Sequence, residues 1–393
     1  MNWNNVIGQE TVKAHLKDMV QHNRLSHALL FLGKEGSGAL PLAIEFAKYV
    51  VCQPKAAPVV EDLFGGMSSM PANNEDEMNA AIQRAEQLIH PDLHFSFPVI
   101  PKKSGDKPTS ADYINEFREF VKIAPYGNVY DWLQNIHAEN KQGNITAEEC
   151  NEIGKKLSLK TFEAEYKVLV LWMPEYLGKE GNKLLKLIEE PPPNTLFVFV
   201  AENEEQILPT ILSRCQLIKI PQLQTNEIEQ ALIERANVAA DTARQIAGIC
   251  EGNYREALQL LQHSEEDWQD LLKHWLNYTI KKMLPEQVKW IDEISKIGRE
   301  KQKQFLRYFN HLLQQSIRIK VLGVDNVMLP QNEKDFAQRL NKIASVSQQE
   351  AIVEELDKAS YYIERNANGK MLFQALSIKL HHIIQNKVSI EYN

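Results

Sequence analysis

The chain has 393 residues, of which 44% are hydrophobic and 24% are charged. This length predicts two or three domains, and the composition is ordinary for a globular protein, so it excludes wholesale disorder, a collagen-like fibre and a small disulfide scaffold. Lysine and arginine number 44 against 52 acidic residues, which gives a net charge of -8. That balance argues against a self-sufficient coat on nucleic acid, although a local basic face stays possible.

The cysteines and the N-terminus indicate the compartment. No two cysteines have the spacing of metal ligands, which favours reduced thiols. The first residues lack the basic and apolar regions of a signal peptide, and no apolar run reaches the ~18 residues of a membrane span. We therefore expect a cytoplasmic protein. The cysteines are Cys52, Cys150, Cys215 and Cys250.

The N-terminal part alternates helix and strand signals. A helical pattern over 10–22 precedes an apolar run over 27–32, which predicts a strand. A glycine-rich turn follows at 33–38, and 40–51 has helical spacing. Strand, glycine turn and helix are the start of a parallel α/β unit. The 53–79 stretch, rich in Pro, Gly, Ser and acids, is predicted to be irregular.

Further strands are predicted at 95–100, 167–172 and 196–201. The last two are near-continuous apolar runs, which indicates a parallel sheet covered on both faces. A basic loop is predicted at 101–110, and the wider 101–143 insertion has no role that the sequence assigns. Predicted helices cover 111–122, 146–157 and about 180–190, and three prolines stop the last of them.

After 218–220 the β signal vanishes. The 225–263 stretch predicts two or three short helices and 267–387 several longer ones. The predicted fold class is α/β followed by all-α. The predicted domains are an α/β domain at 1–220, a small helical domain at 221–265 and a larger helical domain at 266–393.

The glycine turn is a broken phosphate loop. Gly33, Gly36 and Gly38 fit the pattern G-x-x-x-x-G, which must continue with Lys for the β- and γ-phosphates and Ser or Thr for magnesium. Ala39 and Leu40 stand at those positions. We therefore expect a phosphate-loop fold that neither hydrolyses ATP nor holds a cofactor. For this motif alone, a glycine turn without any link to nucleotides is the alternative.

The strand at 167–172 points the same way. In phosphate-loop ATPases the end of this strand carries an Asp for magnesium, usually followed by a Glu. Here those positions hold Trp172 and Met173. Glu175 lies further on, and we expect it to be a solvated surface carboxylate. Two catalytic elements are thus missing from one chain.

Several segments carry a resemblance to a known family. Together they resemble the clamp-loader branch of the AAA+ ATPases, well in the two N-terminal domains and weakly in the third. Within that branch, the broken loop and missing acids are similar to the delta-prime family of bacterial DNA polymerase III rather than to the ATP-hydrolysing tau/gamma subunit. The segments are Val6-Ile7-Gly8-Gln9, 27–33, His90-Pro91-Asp92, 182–192, 208–216 and 366–370.

The resemblance implies an AAA+ domain, a helical lid and a C-terminal collar that joins subunits. It implies a hetero-pentameric ring with tau/gamma and delta subunits, part of a DNA polymerase holoenzyme, that loads a sliding clamp onto primed DNA. It also implies a role for Arg214, on the Ser213-Arg214-Cys215 turn, as an arginine finger in trans. Guanidinium is always charged and forks onto phosphate oxygens. A solvated surface cation is the alternative for this residue.

Other candidates are weighed as structural. Arg255 stands where related ATPases place a second nucleotide-sensing arginine, and without nucleotide we expect a structural role. Asn203 is a vestigial sensor at best, and Lys34 is too early in the loop to replace the missing lysine. His90 and His94 make a poor metal site because a proline intervenes.

We expect no metal. Many members of the resembled family carry four cysteines in a zinc module, whereas only Cys52 is present here, and a tetrahedral site needs four ligands. A basic run over 281–307 is predicted to be mainly a solvated helix face. The aromatic residues interleaved with it are predicted to form core rather than stack on bases. They are Trp290, Phe305, Tyr308 and Phe309.

Two other functions stay open. An active tau/gamma-type ATPase would need the lysine and the acids that this chain lacks. A different AAA+ protein, one that remodels DNA as a homomeric ring, would have identical inactive sites and no ATPase at all.

Overall fold

The computed structural model describes residues 3–54, 59–61, 67–69, 75–103, 105–138, 141–262, 265–323, 331–364 and 367–386. The chain divides into two compact units, Met1–Leu258 and Gln259–Asn393. The finer division into three domains, with boundaries after 220 and 265, stays a prediction. All four cysteines are free thiols in this structure.

The first unit is built on a five-stranded parallel sheet. Its strands lie in the order β4-β5-β6-β1-β7, so the strand that precedes the glycine turn is flanked by β6 and β7. A separate antiparallel hairpin joins β2 to β3. The strands are β1 (Ala28–Gly33), β2 (Val59–Glu61), β3 (Met67–Ser69), β4 (Leu93–Ser96), β5 (Lys167–Trp172), β6 (Thr195–Ala201) and β7 (Gln216–Ile220).

Helices cover both faces of this sheet. Residues of β5 alternate between the two faces: Val168 and Val170 belong to one buried apolar cluster, and Leu169 and Leu171 to another. The helices up to the last strand are α1 (Glu10–Gln21), α2 (Ala39–Val51), α3 (Glu75–Glu86), α4 (Ile114–Ile123), α5 (Val129–Asn135), α6 (Ala147–Ser158), α7 (Leu185–Glu189) and α8 (Pro209–Leu212). After that strand come α9 (Thr225–Ala236), α10 (Ala240–Ile249) and α11 (Tyr254–Gln262). Short 3-10 helices lie at Trp3–Asn5, Ser110–Tyr113, Pro174–Leu184 and Glu204–Gln206.

Three sequence-based predictions about local structure were wrong. The 53–79 stretch is not wholly irregular, because it contains the antiparallel pair of β2 and β3 and the start of α3. Helix α3 is anchored near its C-terminus by the buried Ala85. The strand predicted at 95–100 is β4, which ends at Ser96, since the Phe97 N–H donates to Ser110 Oγ (3.0 Å) and the chain leaves the sheet. The continuous helix predicted at about 180–190 is instead the end of a 3-10 helix, up to Leu184, followed by α7. In addition, helix α5 was not predicted at all.

The second unit is all-helical in its described residues. Its core contains the aromatic residues that the sequence assigned to it: Trp290 and Phe305 are buried, and Trp275 stacks on Trp290 with ring centroids 4.9 Å apart. No helix in the described ranges is long and apolar enough to cross a membrane. The helices are α12 (Glu265–Ile280), α13 (Leu284–Ile294), α14 (Arg299–Leu322), α15 (Gln331–Ile343), α16 (Val346–Glu364) and α17 (Gly369–Asn386).

These two units confirm the predicted fold class, a parallel α/β part followed by an all-α part.

Candidate functional site

The glycine turn has the backbone of a phosphate loop. It leaves β1 at Gly33 and ends at the N-terminus of α2, with Gly36 (φ 72°) and Gly38 (φ 90°) in the left-handed region that favours glycine. A helix N-terminus of this kind is a ready-made anion site. Ala39 and Leu40, the first residues of α2, are buried and offer a phosphate neither a charge nor a hydroxyl.

The space above this loop is filled. The cavity that remains has a volume of about 20 Å³, which is room for about one water molecule. Trp172 and Met173, which replace the acids, line this cavity together with Gly38 and Tyr126. The phosphate loop and the end of β5 therefore meet at this small cavity.

Tyr126 is the side chain that closes the loop most directly. A Cβ on Gly38 would come within 2.9 Å of its ring. Its hydroxyl accepts a hydrogen bond from the Ile7 N–H at 2.7 Å, and burial raises its pKa to about 12. Its ring packs edge-on against that of Tyr254, with centroids 5.0 Å apart.

Arg255 is the centre of a buried polar cluster. Its side chain is 3% exposed and pairs with two carboxylates, that of Glu35 in the loop (3.0 Å) and that of Asp131 in α5 (2.5 and 2.7 Å). Glu35 also accepts hydrogen bonds from Asn253 Nδ2 (3.2 Å) and Asn128 Nδ2 (3.1 Å). Gly36 lets Asn253 approach, since a Cβ there would collide with the Asn253 amide oxygen. These contacts give Arg255 the structural role that we expected.

The Val6-Ile7-Gly8-Gln9 motif ties the loop to the end of the sheet. Gln9 Nε2 donates to the Ser37 carbonyl (3.2 Å) and to the Pro221 carbonyl (2.7 Å). Gly8 has φ 56°, and a Cβ there would collide with the Glu227 carboxylate of α9. The motif therefore connects the glycine turn with the end of β7 and packs against α9.

Glu175 corrects a prediction. It is not a solvated surface carboxylate: Oε1 accepts hydrogen bonds from the N–H groups of Glu202 (2.7 Å) and Asn203 (2.9 Å), and burial raises its pKa. It thus links the segments that follow β5 and β6. Asn203 caps the 3-10 helix after β6 by accepting a hydrogen bond from the Glu205 N–H.

The His90-Pro91-Asp92 motif is part of the scaffold. The buried Asp92 carboxylate accepts hydrogen bonds from three backbone N–H groups of the 162–164 turn, at 2.6 to 2.8 Å. His90 Nδ1 accepts from the Asp92 N–H, and burial lowers the pKa of His94 to about 4. Within the described residues, no group of three or more His, Cys, Asp and Glu side chains could hold a metal ion.

Arg214 lies away from the loop of its own chain. It precedes β7, and the parallel register pairs Gln216 with Leu29 and Ile220 with Gly33. Four strand residues at ~3.3 Å each separate the start of β7 from its end beside the loop, roughly 13 Å. Arg214 therefore lies near the N-terminal ends of the parallel strands, whereas the phosphate loop follows their C-terminal ends.

Its side chain is held in place at the surface. The guanidinium is paired with Glu189, with Nε 2.7 Å from Oε1, and Nη1 donates to the Thr210 carbonyl at 2.7 Å and to Ser213 Oγ at 3.1 Å. About one third of the side chain is exposed. The arginine is thus oriented by its own turn and by α7.

Sequence reasoning missed the residues that fill the site, namely Tyr126, Asn128 and Asp131. All three lie in the insertion to which it gave no role. A local signal existed for α5, because Asn128 and Asp131 form a reciprocal cap at its start. No local signal connects position 126 with position 38.

The fold and site define an α/β protein with a phosphate-loop turn after its first strand, in which Ala39 and Leu40 hold the lysine and hydroxyl positions, followed by an all-helical part. The family model described as DNA polymerase III, delta subunit, matches residues 8–224. The chain therefore belongs to this DNA polymerase III family, which confirms the resemblance to clamp-loader subunits of the delta-prime kind.

Individual relatives agree. The chain is 27% identical over 257 residues to the DNA polymerase III subunit delta' of Bacillus subtilis (strain 168), an alignment that covers 65% of this chain and 60% of that protein. It is 25% identical over 279 residues to the DNA polymerase III subunit tau of the same organism, covering 68% of this chain and 38% of tau. The alignments thus reach less than two thirds of either relative.

Two solved structures align over 94% of this chain and 99% of their own. One is a DNA polymerase III gamma subunit-related protein from Thermotoga maritima, with a TM-score of 0.38 and 14% identity. The other is the Bacillus subtilis DNA clamp loader delta protein, with a TM-score of 0.31 and 10% identity. Because both TM-scores are low, these structures add nothing to the assignment.

Proposed function

We propose that this chain is a cytoplasmic, non-hydrolysing subunit of a clamp loader that supplies Arg214 to the ATP site of an adjacent subunit. In this function it joins tau/gamma and delta subunits in a hetero-pentameric ring. That ring opens a sliding clamp and places it on primed DNA for the DNA polymerase III holoenzyme.

One observation carries the non-hydrolysing part of the proposal: the cavity at the phosphate loop has only about 20 Å³. Catalysis of phosphoryl transfer depends on positioning and on neutralising charge at the phosphates. The residues at this loop supply an alanine, a leucine, a tryptophan and a methionine where a lysine, a hydroxyl and two acids are needed. The site lacks both the room and the charges.

The position of Arg214 supports action in trans. It lies at the opposite end of the parallel strands from the loop of its own chain, so it is too far from that loop to act in cis. To bind phosphates of another subunit, the Arg214 guanidinium must release the Glu189 carboxylate. It then replaces carboxylate oxygens with phosphate oxygens, which are also anionic acceptors. The partly exposed pair with Glu189 is worth little in stability, so this exchange is inexpensive.

The isolated protein tests the first part. We expect no steady-state ATP hydrolysis and no heat on titration with magnesium-ATP. Turnover that co-purifies with the chain and is abolished by Gly38→Ala would contradict the proposal.

Arg214→Ala tests the second part in a complex reconstituted with the tau/gamma and delta subunits of the source cell. An arginine finger contributes about 10³ to 10⁵ at its own site. The loss for the whole ring is smaller, because other sites keep their own arginines. We expect assembly to be normal and clamp-stimulated ATPase and loading rates to fall, and Arg214→Lys to restore them only in part.

The matched control is Arg244→Ala. Arg244 is also a surface arginine paired with a glutamate, Glu229 at 3.3 Å, but lies in α10. It should leave both rates unchanged. Normal loading by an assembled Arg214→Ala complex would return Arg214 to the role of a surface cation.

The alternative of an active tau/gamma-type ATPase draws on the 25% identity to tau. The filled cavity and the missing lysine weigh against it. A homomeric DNA-remodelling ring has no observation in its favour.

A further inference from the structure

We propose that the 125–131 segment is a built-in occupant of the degenerate nucleotide site and holds the small helical segment (α9 to α11) against the phosphate loop. The segment thereby replaces a bound nucleotide as the link between these parts. The proposal rests on the proposed non-hydrolysing function in one respect, that nucleotide does not need this space.

The apolar half of the link is Tyr126. Its ring lies against Gly38 on one side and against Tyr254, the first residue of α11, on another. Its hydroxyl is bonded to the Ile7 N–H. One buried side chain thus contacts the phosphate loop, the N-terminal motif and the small helical segment.

The polar half is carried by Asn128 and Asp131. Asn128 donates to Glu35 of the loop, and Asp131 pairs through two hydrogen bonds with Arg255 of α11. Arg255 also reaches Glu35, so these side chains close a circuit between the insertion, the loop and α11. A planar guanidinium with two carboxylates has its donors directed as they would be toward phosphate oxygens.

The charges of this circuit disfavour an entering anion. One guanidinium faces two carboxylates, and one of those carboxylates, Glu35, belongs to the phosphate loop itself. A phosphate would have to displace Asp131 from Arg255 and lie beside Glu35. Like charges that close repel strongly in a partly buried site. The segment therefore excludes nucleotide by charge as well as by volume.

Ordinary packing of an insertion would not select these partners. Asp131 and Arg255 are 124 positions apart, and Asn128 and Glu35 are 93 apart. Both contacts converge on the two elements that a nucleotide bridges, the glycine turn and the arginine of the small helical segment. The convergence distinguishes a link from a surface loop that happens to lie nearby.

The test is hydrogen exchange by mass spectrometry on the full-length chain with Asp131→Asn, which removes the charge but keeps an oxygen to cap α5. We expect amides of α10 and α11 to exchange at least about tenfold faster, since a hydrogen bond to a charged group is worth about that factor. Amides of β5 and β6 should be unchanged. The matched control is Asp112→Asn, because Asp112 also caps a helix reciprocally, with Thr109, but is exposed.

Three outcomes would overturn the proposal. They are unchanged exchange in α10 and α11, an equal acceleration throughout the sheet, and slower exchange in these helices when millimolar magnesium-ATP is added to the unmodified chain. If Asp131→Asn does not fold, Tyr126→Phe, which removes the hydroxyl that bonds the Ile7 N–H and interacts with Arg235 of α9, should give a smaller acceleration confined to α9, α10 and α11. Clamp loading by Arg214→Ala tests the proposed function separately, so either idea can fail alone.

Discussion

Restoring the missing phosphate-loop residues should not restore nucleotide binding. The double variant Ala39→Lys/Leu40→Thr returns the lysine and the hydroxyl that the motif requires. If sequence alone kept nucleotide out, this change would suffice. The structure adds a second barrier, because Tyr126 and Trp172 line the cavity at the loop and leave it only about 20 Å³.

The size of the effect follows from burial. Ala39 is 8% exposed and Leu40 is 5% exposed, and the cavity beside them has about 20 Å³. A lysine side chain does not fit that volume, and its charge would lie among apolar groups, which costs several kcal/mol or lowers its pKa. Truncating a buried leucine adds about 2 kcal/mol or more. We expect the double variant to lose about 3 kcal/mol or more of unfolding free energy.

The assays are urea unfolding and calorimetric titration with magnesium-ATP. The single variant Ala39→Gln separates bulk from charge, since glutamine is long but neutral. Binding should emerge only when Tyr126→Ala is added and space is opened. Micromolar binding of magnesium-ATP by the folded double variant with Tyr126 intact would refute the reasoning, since it would show that the cavity opens readily.

Two further predictions concern buried carboxylates. Asp92→Ala leaves the N–H groups of the 162–164 turn without their acceptor and should lower the unfolding free energy by about 3 kcal/mol or more, with Asp92→Asn intermediate, as measured by urea unfolding. For Glu175, burial raises the pKa in the folded state, so the folded state favours the protonated acid. The unfolding free energy of the protein therefore falls as pH rises from the ordinary carboxyl pKa through the raised one. Glu175→Gln should therefore be more stable than the unmodified chain at neutral pH, and the difference should shrink on acidification toward pH 4.5, the ordinary carboxyl value; a difference independent of pH would contradict this.

The elements that the sequence predicted well are those with a strong local pattern. Strand β5 was predicted with its observed bounds because it is a near-continuous apolar run that Pro174 soon follows, and all six of its residues are buried. The helices of the second unit were expected as a group because no strand signal competes with them. Missing catalytic residues were also visible, since the phosphate loop and the strand after it place their chemistry at fixed positions.

The contents of the site were not predictable in this way. Tyr126 packs on Gly38, 88 positions earlier, and a contact at such separation leaves no periodic trace in the sequence. Glu175 was misjudged because a carboxylate after a strand is usually solvated, whereas here the carboxylate is buried and accepts hydrogen bonds from two backbone N–H groups of the adjacent connection. Both failures involve tertiary contacts that override a local expectation.

The geometry of the sheet separates the phosphate loop from the Arg214 turn. The parallel register of β7 with β1 places the phosphate loop at the C-terminal ends of the strands and the Arg214 turn at their N-terminal ends. The contact of Tyr126 with Gly38 and the ion pair of Arg255 with Asp131 both lie on the phosphate-loop side. The hydrogen-bond acceptors that orient Arg214 are in Glu189, Thr210 and Ser213, which lie with it at the other end of the strands. Substitutions at the phosphate loop therefore leave in place the contacts that orient the arginine that we propose acts on another subunit.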